Sequence, residues 1–296
     1  MDCLTAVGWN RLMTTSHTIT VLGGTGHSGR RVVRRLRDRG VPVRVGSRSG
    51  DPAFHWERPD TWAPLLDGAA AAYVAYTPDL AFPGADAILS ELGEAGRRHG
   101  IGRLVLLSGR GEPAAARSEE ALRSGGVPVT VLRSSWFAQD FSEHFLLEPV
   151  LAGEVALPTA DVPEPFLDLD DLADVAVEML GRPEPADVTL ELTGPRSLTF
   201  AEATDELSRV TGRTIGTVSV PPDEFVRYAV AAGVPPEEAA ALASLFVEVL
   251  DGRNTSVTGD VERVLGRPAT DFADFARLTA ATGVWDLARL TDRAGA

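Results

Sequence analysis

The chain has 296 residues, 44% of them hydrophobic, and a formal net charge of −14, which is length enough for one large or two modest domains. The acidic balance argues against a nucleic-acid partner, whose phosphates need a basic face, and no apolar run reaches the roughly 18 residues of a membrane helix. Cys3 is the single cysteine, which excludes a disulfide framework and a thiolate metal site and fits a reducing cytoplasm.

Residues 1–12 read as an appendage expected to be disordered, with Met13 a second candidate start. Regular patterning begins at "TITVLG" (18–23), a run of β-formers that stops on glycine. A helix follows at 29–39. Val32, Val33 and Leu36 form its inner face, and Arg30, Arg31, Arg34, Arg35, Arg37 and Arg39 are expected on a solvated one. Further strands are predicted at 41–47, 71–76, 103–109, 127–135 and 188–194, alternating with helices at 61–67, 84–99, 114–124 and 169–180. Short apolar strands alternating with helices give an α/β class: a doubly wound parallel sheet covered on both faces.

Beyond residue 195 the strands thin out. "TFAEATDELSRVTG" (199–212) is a helix with Thr199 as N-cap, Glu202 at the capping-box position and Gly212 as its stop. Alanine-rich helices at 222–232 and 235–250 follow, then one at 271–281. The stretch 138–166, with four prolines and Gly153, leaves the sheet to join them. The expected organisation is a Rossmann domain from 16–137 and 166–194, and a smaller, mostly helical substrate lobe from 138–165 and 195–290.

Gly23, Gly26 and Gly29 form G-x-x-G-x-x-G between the first strand and the first helix. The first glycine permits the tight turn, the second lets backbone approach a pyrophosphate, and the third lets helix and strand pack closely. The helix N-terminus offers free N–H groups and a positive dipole end to phosphate, with Thr25, His27 and Ser28 as the loop side chains. A Walker A loop is excluded because Arg30 stands where its lysine belongs, and a nucleophile elbow fails because Ser28 directly precedes Gly29. A dinucleotide site selective for NAD places Asp or Glu at the end of the second strand. Here stand Ser47, Arg48 and Ser49, a guanidinium and two hydroxyls suited to a 2′-phosphate, so the expected cofactor is NADP(H).

With these residues in place the chain resembles the NmrA-like branch of the atypical short-chain dehydrogenases/reductases. "TVLGGTGHSGRRVVRRL" resembles its cofactor loop, "GIGRLVLLSGRG" its fifth strand, and "VTVLRSSWFAQDFSE" its sixth strand and following segment. "LELTGPRSLTFAEATDELSRVTGR" resembles its return to the C-terminal lobe. The likeness runs from about Thr18 to Trp285 and is greatest to ergot-type festuclavine and agroclavine dehydrogenases and their bacterial relatives. It implies that Tyr76 and Ser108 are the catalytic candidates and that Thr77, Gly109 and Arg133 touch the cofactor. It likewise implies a substrate pocket of Trp136, Phe137, Gln139, Asp140 and His144. Ligands at the carboxyl ends of parallel strands are the general rule for such sheets.

One departure bears on the chemistry. All 28 basic residues are arginine, so the Tyr-x-x-x-Lys pair that moves a proton onto a carbonyl oxygen in ordinary short-chain dehydrogenases is impossible here. The carboxylates of "DLDDLAD" (168–174) read as a helix N-terminal cluster rather than a metal site, the five histidines show no ligand spacing, and nothing in the spacing supports a Ser108–His144–Asp168 hydrolase. The expected protein is a cytoplasmic NADPH-dependent reductase, a monomer or homodimer without nucleic-acid or membrane partners. Its expected reaction is hydride delivery to an iminium, an imine or an activated conjugated small molecule, and the resemblance suggests secondary metabolism. A quinone or dye reductase, and an NADP(H)-sensing regulator without turnover, are the alternatives.

Overall fold

The computed structural model describes residues 17–184 and 187–287; the 1–12 tail lies outside them. In chain order the elements begin with β1 (Thr18–Leu22), α1 (His27–Asp38), β2 (Val43–Gly46), α2 (Ala63–Leu66) and β3 (Ala69–Val74). Then come α3 (Ala85–Arg98), β4 (Leu104–Gly109), α4 (Pro113–Arg123), β5 (Val129–Ser134), α5 (Asp140–Glu143), α6 (Leu147–Ala152) and β6 (Glu154–Leu157). The rest are α7 (Leu169–Gly181), β7 (Val188–Leu192), α8 (Phe200–Thr211), β8 (Gly216–Ser219), α9 (Pro222–Ala231), α10 (Pro236–Val249), α11 (Asp260–Leu265) and α12 (Phe272–Ala280).

Two compact units emerge. Unit 1 is the chain to Ser134 with Leu169–Leu192 and Asp260–Arg267; unit 2 is Ser135–Asp168, Thr193–Gly259 and the chain from Pro268. The boundaries expected at 137 and 166 thus fall at Ser134 and Leu169. The segment 260–267, expected in the substrate lobe, counts with unit 1 for a physical reason. Asp260 accepts the Glu191 backbone N–H at 2.8 Å, and Arg267 reaches Asp171 at 2.6 Å and Asp174 at 2.7 Å on α7.

Unit 1 holds a six-stranded sheet of order β2-β1-β3-β4-β5-β7, parallel throughout. Helices cover both faces, so both parities of each strand are apolar. On one face Leu22, Val74, Leu104, Leu106 and Val131 pack under Leu89, Leu92 and Leu122 of α3 and α4. On the other lie α1 and α7. Arg31 and Arg35, expected in solvent, are drawn into this helix pair: Arg35 bonds Asp170 at 2.7 Å and also Asp174, and Arg31 is buried. The acidic run at the start of α7 therefore has arginine partners as well as the helix dipole.

Unit 2 is built on a ring cluster of Phe141, Phe166, Phe200, Phe246, Phe272 and Trp285, with Phe141 edge-on to Phe166 and Phe272, each at 5.4 Å between centroids. α8 starts with the expected capping box: Thr199 Oγ1 accepts from the Glu202 N–H at 3.1 Å, and the Thr199 N–H donates to Glu202 Oε2 at 2.8 Å. A two-stranded parallel sheet, β6 beside β8, was not anticipated. Among the described residues no helix is long and apolar enough to cross a membrane, and no group of three or more His, Cys, Asp or Glu is placed to hold a metal.

Candidate cofactor site

The strand order reverses at β1: the chain passes from β1 to β2 on one side and returns to β3 on the other. A crevice outside the carboxyl ends of β1 and β3 is where such sheets bind ligands. The glycine loop follows β1, and Ala75, Tyr76 and Thr77 follow β3, so this topology collects the cofactor candidates of both loops at one end of unit 1.

Each glycine has its own physical reason. Gly23 has φ +77°, and a side chain there would run into the Ala75 carbonyl oxygen. A Cβ on Gly29 would strike the Gly23 carbonyl and stand 2.8 Å from Gly24 Cα, so the helix can seat against the loop only without one. Gly24, missed in the sequence, is equally confined, 2.8 Å from Val45 Cγ1 and 2.9 Å from the Val21 carbonyl. Gly26 differs. Its φ of −71° suits any residue, and an added Cβ would meet only the Gly23 carbonyl, at 3.3 Å. It is the N-cap of α1, where no side chain caps the helix and the first turn holds no acid. Thr25 is exposed, His27 opens the helix, and Ser28 is buried.

At the end of β2 the Ser47 carbonyl accepts from the backbone N–H of Gly50 at 3.1 Å and of Phe54 at 2.9 Å. That turn presents Arg48 and Ser49 to solvent while Ser47 stays buried. Tyr76 packs on Trp56, with 5.0 Å between centroids. Burial, and secondarily the Glu57 carboxylate, raises its phenol above the ordinary tyrosine range. Thr77 beside it is exposed.

Ser108 and Arg133 are cross-strand neighbours in β4 and β5, and Glu191 of β7 is next in the same row. All three face α4. There Glu119, fully buried, accepts from Ser108 Oγ at 2.6 Å and takes the Arg133 guanidinium in a fork, Nε at 2.9 Å and Nη2 at 2.7 Å. This pairing raises the Arg133 pKa against the opposing effect of burial. One place further on, buried Arg110 bonds Glu191 at 2.9 Å. The Glu112 carboxylate lies directly over Gly109, in the space a side chain would need. Glu119 was missed in the sequence, although a signal was present: it is a charged residue on the inward stripe of Ala115, Ser118 and Leu122.

The five substrate-pocket candidates come together in one short stretch of unit 2. Trp136 stacks on Phe246 at 4.7 Å, and Phe137 donates its N–H to Asp140 Oδ2 at 3.1 Å. Gln139 donates to Asp168 at 2.7 Å, and His144 is exposed with Nδ1 3.7 Å from Asp140 Oδ1. Desolvation pushes the buried Asp140 carboxyl up to about 7, the Phe137 N–H opposes the shift, and Glu143 adds to it.

No protein-family model matches the chain. The uncharacterized oxidoreductase YesF of Bacillus subtilis is 30% identical over 288 residues, 92% of this chain and 99% of that one. Festuclavine dehydrogenase of Aspergillus fumigatus is 31% identical over 289 residues, 88% of this chain and 96% of that one. Among solved structures, the triphenylmethane reductase of Citrobacter sp. complexed with NADP(H) superposes with a TM-score of 0.71 at 19% identity, covering 88% of this chain and 99% of that one. Near-full-length relatives at this identity, on this sheet and this glycine loop, settle the kinship: the chain belongs to the NmrA-like branch of the atypical short-chain dehydrogenases/reductases, a family of NAD(P)H-dependent reductases.

Proposed function

We propose that this protein is an NADPH-dependent reductase of a small-molecule iminium, imine or activated conjugated acceptor. Gly26 carries the cofactor half of the reading. The fold itself accounts for Gly23, Gly24 and Gly29, whereas at 26 the backbone conformation suits any residue and a Cβ would meet one protein atom, the Gly23 carbonyl oxygen at 3.3 Å, which need give by only a few tenths of an ångström. A ligand lying against the loop demands a glycine there. The backbone from Gly23 to Gly29 and the uncapped start of α1 would hold the pyrophosphate, with Thr25, His27 and Ser28 at hand, and Ser47, Arg48 and Ser49 would take the 2′-phosphate. Bound there, NADPH supplies a hydride from its nicotinamide end.

The acceptor half rests on what the two catalytic candidates, Tyr76 and Ser108, do not offer, a ready proton. The chain has no lysine. The Tyr76 phenol is shifted upward, the opposite of what a poised acid needs, and the Ser108 hydroxyl is committed to Glu119. An iminium carbon already carries the charge that protonation would otherwise supply, so the residues are left with positioning and the exclusion of water. The likeness to festuclavine dehydrogenase supports the same direction. In this reading Trp136, Phe137, Gln139, Asp140 and His144 serve the acceptor, with Trp136 supplying aromatic surface.

NADPH consumption against a panel of cyclic iminium ions, enones, quinones and dyes tests the proposal. Turnover of the iminium or enone members is expected. Turnover confined to quinones or dyes would move the assignment to a quinone or dye reductase. Tight NADPH binding with no consumption above background would make the protein a sensor.

A further inference from the structure

Asp140, the first residue of α5, is 8% exposed. Its Oδ2 accepts the Phe137 N–H at 3.1 Å. Among the described residues its Oδ1 accepts no hydrogen bond, and the His144 Nδ1 stands 3.7 Å from it, beyond hydrogen-bond reach. Aromatic surface adjoins this pair. His144 meets the Phe145 ring edge-on at 5.3 Å, Phe145 meets Trp136 at 6.0 Å, and Phe246 backs both, 5.8 Å from Phe145 and 4.7 Å from Trp136. Phe246 is fully buried, whereas Trp136 and Phe145 are half-buried. All these groups belong to unit 2.

This combination discriminates by charge. An anion would meet the carboxyl groups of Asp140 and Glu143. A neutral apolar molecule would gain from the rings and leave the Asp140 proton in place. A cation with an apolar body gains from both, because ring faces attract positive charge and an ion pair out of water is stronger than one in it. Few charges compete for Asp140. Glu143 and His144 share its turn, Gln139 keeps Asp168 engaged at 2.7 Å, and Glu148 of α6, the helix packed on α5, is exposed. Loss of water pushes the Asp140 pKa up to about 7, and the field of a bound cation acts in the opposite direction.

We infer that residues 136–145 form a site for an organic cation with an apolar body, and that Asp140 releases its proton to solvent as the cation enters and remains as its carboxylate counter-ion. The inference rests on the reading of this stretch as the acceptor's. It adds that the positive charge of the acceptor is what the protein recognises, and that capture weakens as pH falls.

Calorimetric titration without NADPH tests it, using N-methylisoquinolinium, a permanent cation with no proton to lose, and 2-methylnaphthalene, its neutral counterpart of the same shape. The wild-type protein should prefer the cation and bind it roughly tenfold more tightly at pH 8 than at pH 6. Buffers of different ionisation enthalpy should register the release of about half a proton per cation at pH 7. Asp140→Asn should bind the cation at least about tenfold more weakly than wild type at pH 8, with no dependence on pH, and the naphthalene within about twofold of wild type. The proton count on the wild type needs no variant, so it decides the matter should the asparagine protein fail to fold. His144→Gln should keep the pH dependence; its disappearance there would assign the proton to the imidazole and overturn the role of Asp140. Equal affinity for the two probes, binding of neither, or no proton release overturns the inference, whatever the protein reduces. Proton-linked cation binding by a protein that consumes NADPH with no acceptor keeps the site and overturns the reductase reading alone.

Discussion

A tyrosine donates a proton readily when a neighbouring cation holds its pKa down; Tyr76 has instead the face of Trp56 and the carboxylate of Glu57. Tyr76→Phe and Ser108→Ala should accordingly slow single-turnover reduction by about tenfold or less, since a working general acid is worth roughly 10²–10⁴-fold. A thousandfold collapse in either, with cofactor binding intact, would restore a protein acid to the mechanism. Arg48 gives a second prediction: Arg48→Ala should weaken NADPH binding by roughly 1.5–3 kcal/mol and leave NADH nearly untouched, and equal losses would place the 2′-phosphate elsewhere. Asp140 gives a third, with a definite sign. Its folded pKa of about 7 lies above the ordinary 3.8, so between those values the folded protein retains a proton that the unfolded chain has released. Stability then falls as pH rises through that window, by up to about 1.4 kcal/mol per pH unit. Asp140→Asn keeps an acceptor for the Phe137 N–H and cannot ionise. Its stability relative to wild type, from denaturant unfolding, should improve by roughly 2 kcal/mol between pH 5 and pH 7.5. A difference that stays flat across that range would mean the carboxyl titrates normally.

At the scale of elements, the glycine loop and α1 act as one device, because Gly29 lets the helix start against the turn made by Gly23. Gly26→Val should abolish NADPH binding while shifting the melting temperature of the cofactor-free protein little, since an added Cβ there meets only the Gly23 carbonyl oxygen, at 3.3 Å. Normal NADPH affinity in this variant would remove the phosphate from the loop. α4 ties the ends of β4 and β5 through Glu119. Glu119→Ala should cost roughly 2–3 kcal/mol, below the ~3–5 of a wholly buried pair because the Arg133 side chain keeps 31% of its exposure; an unchanged denaturation midpoint would show that Arg133 finds water as good a partner. This contrast also marks how far the sequence could be read. The strand, turn and helix around Gly23 to Gly29 are local, so their pattern was legible, with the turn at Gly23 and the close packing at Gly29, although the confinement of Gly24 was not. Glu119 meets Arg133 only after two strands have aligned, and although its place on an inward stripe was visible, its partner was not. β6 and β8 are four residues each, too short for an alternation to register, and they meet across some sixty residues of intervening chain. Arg31 and Arg35 looked solvated because their partners on α7 lie more than a hundred residues away.

Across the whole molecule, unit 1 is assembled from three separate stretches of chain, and the last of them, Asp260–Arg267, is also the shortest. It bears weight out of proportion to its length. Asp171 is 1% exposed as a side chain and has Arg267 at 2.6 Å, and the Glu191 N–H has the Asp260 carboxylate. Arg267→Ala should therefore lower stability by roughly 2–3 kcal/mol, less than a fully buried pair because the guanidinium is 44% exposed; a loss under about 0.5 kcal/mol in denaturant unfolding would reduce the contact to an ordinary surface pair. The same arrangement has a consequence for the order of events during translation. The unit whose first strand leaves the ribosome early cannot be finished early. At about 5–20 residues per second, the interval between Leu192 and Arg267 is roughly 4–15 s. Throughout it all six strands have been synthesised, while the contacts of Asp171 with Arg267 and of the Glu191 amide with Asp260 have yet to form, and the polypeptide made in that interval belongs to the other unit. The nascent protein must therefore hold one unit open while it builds much of the second.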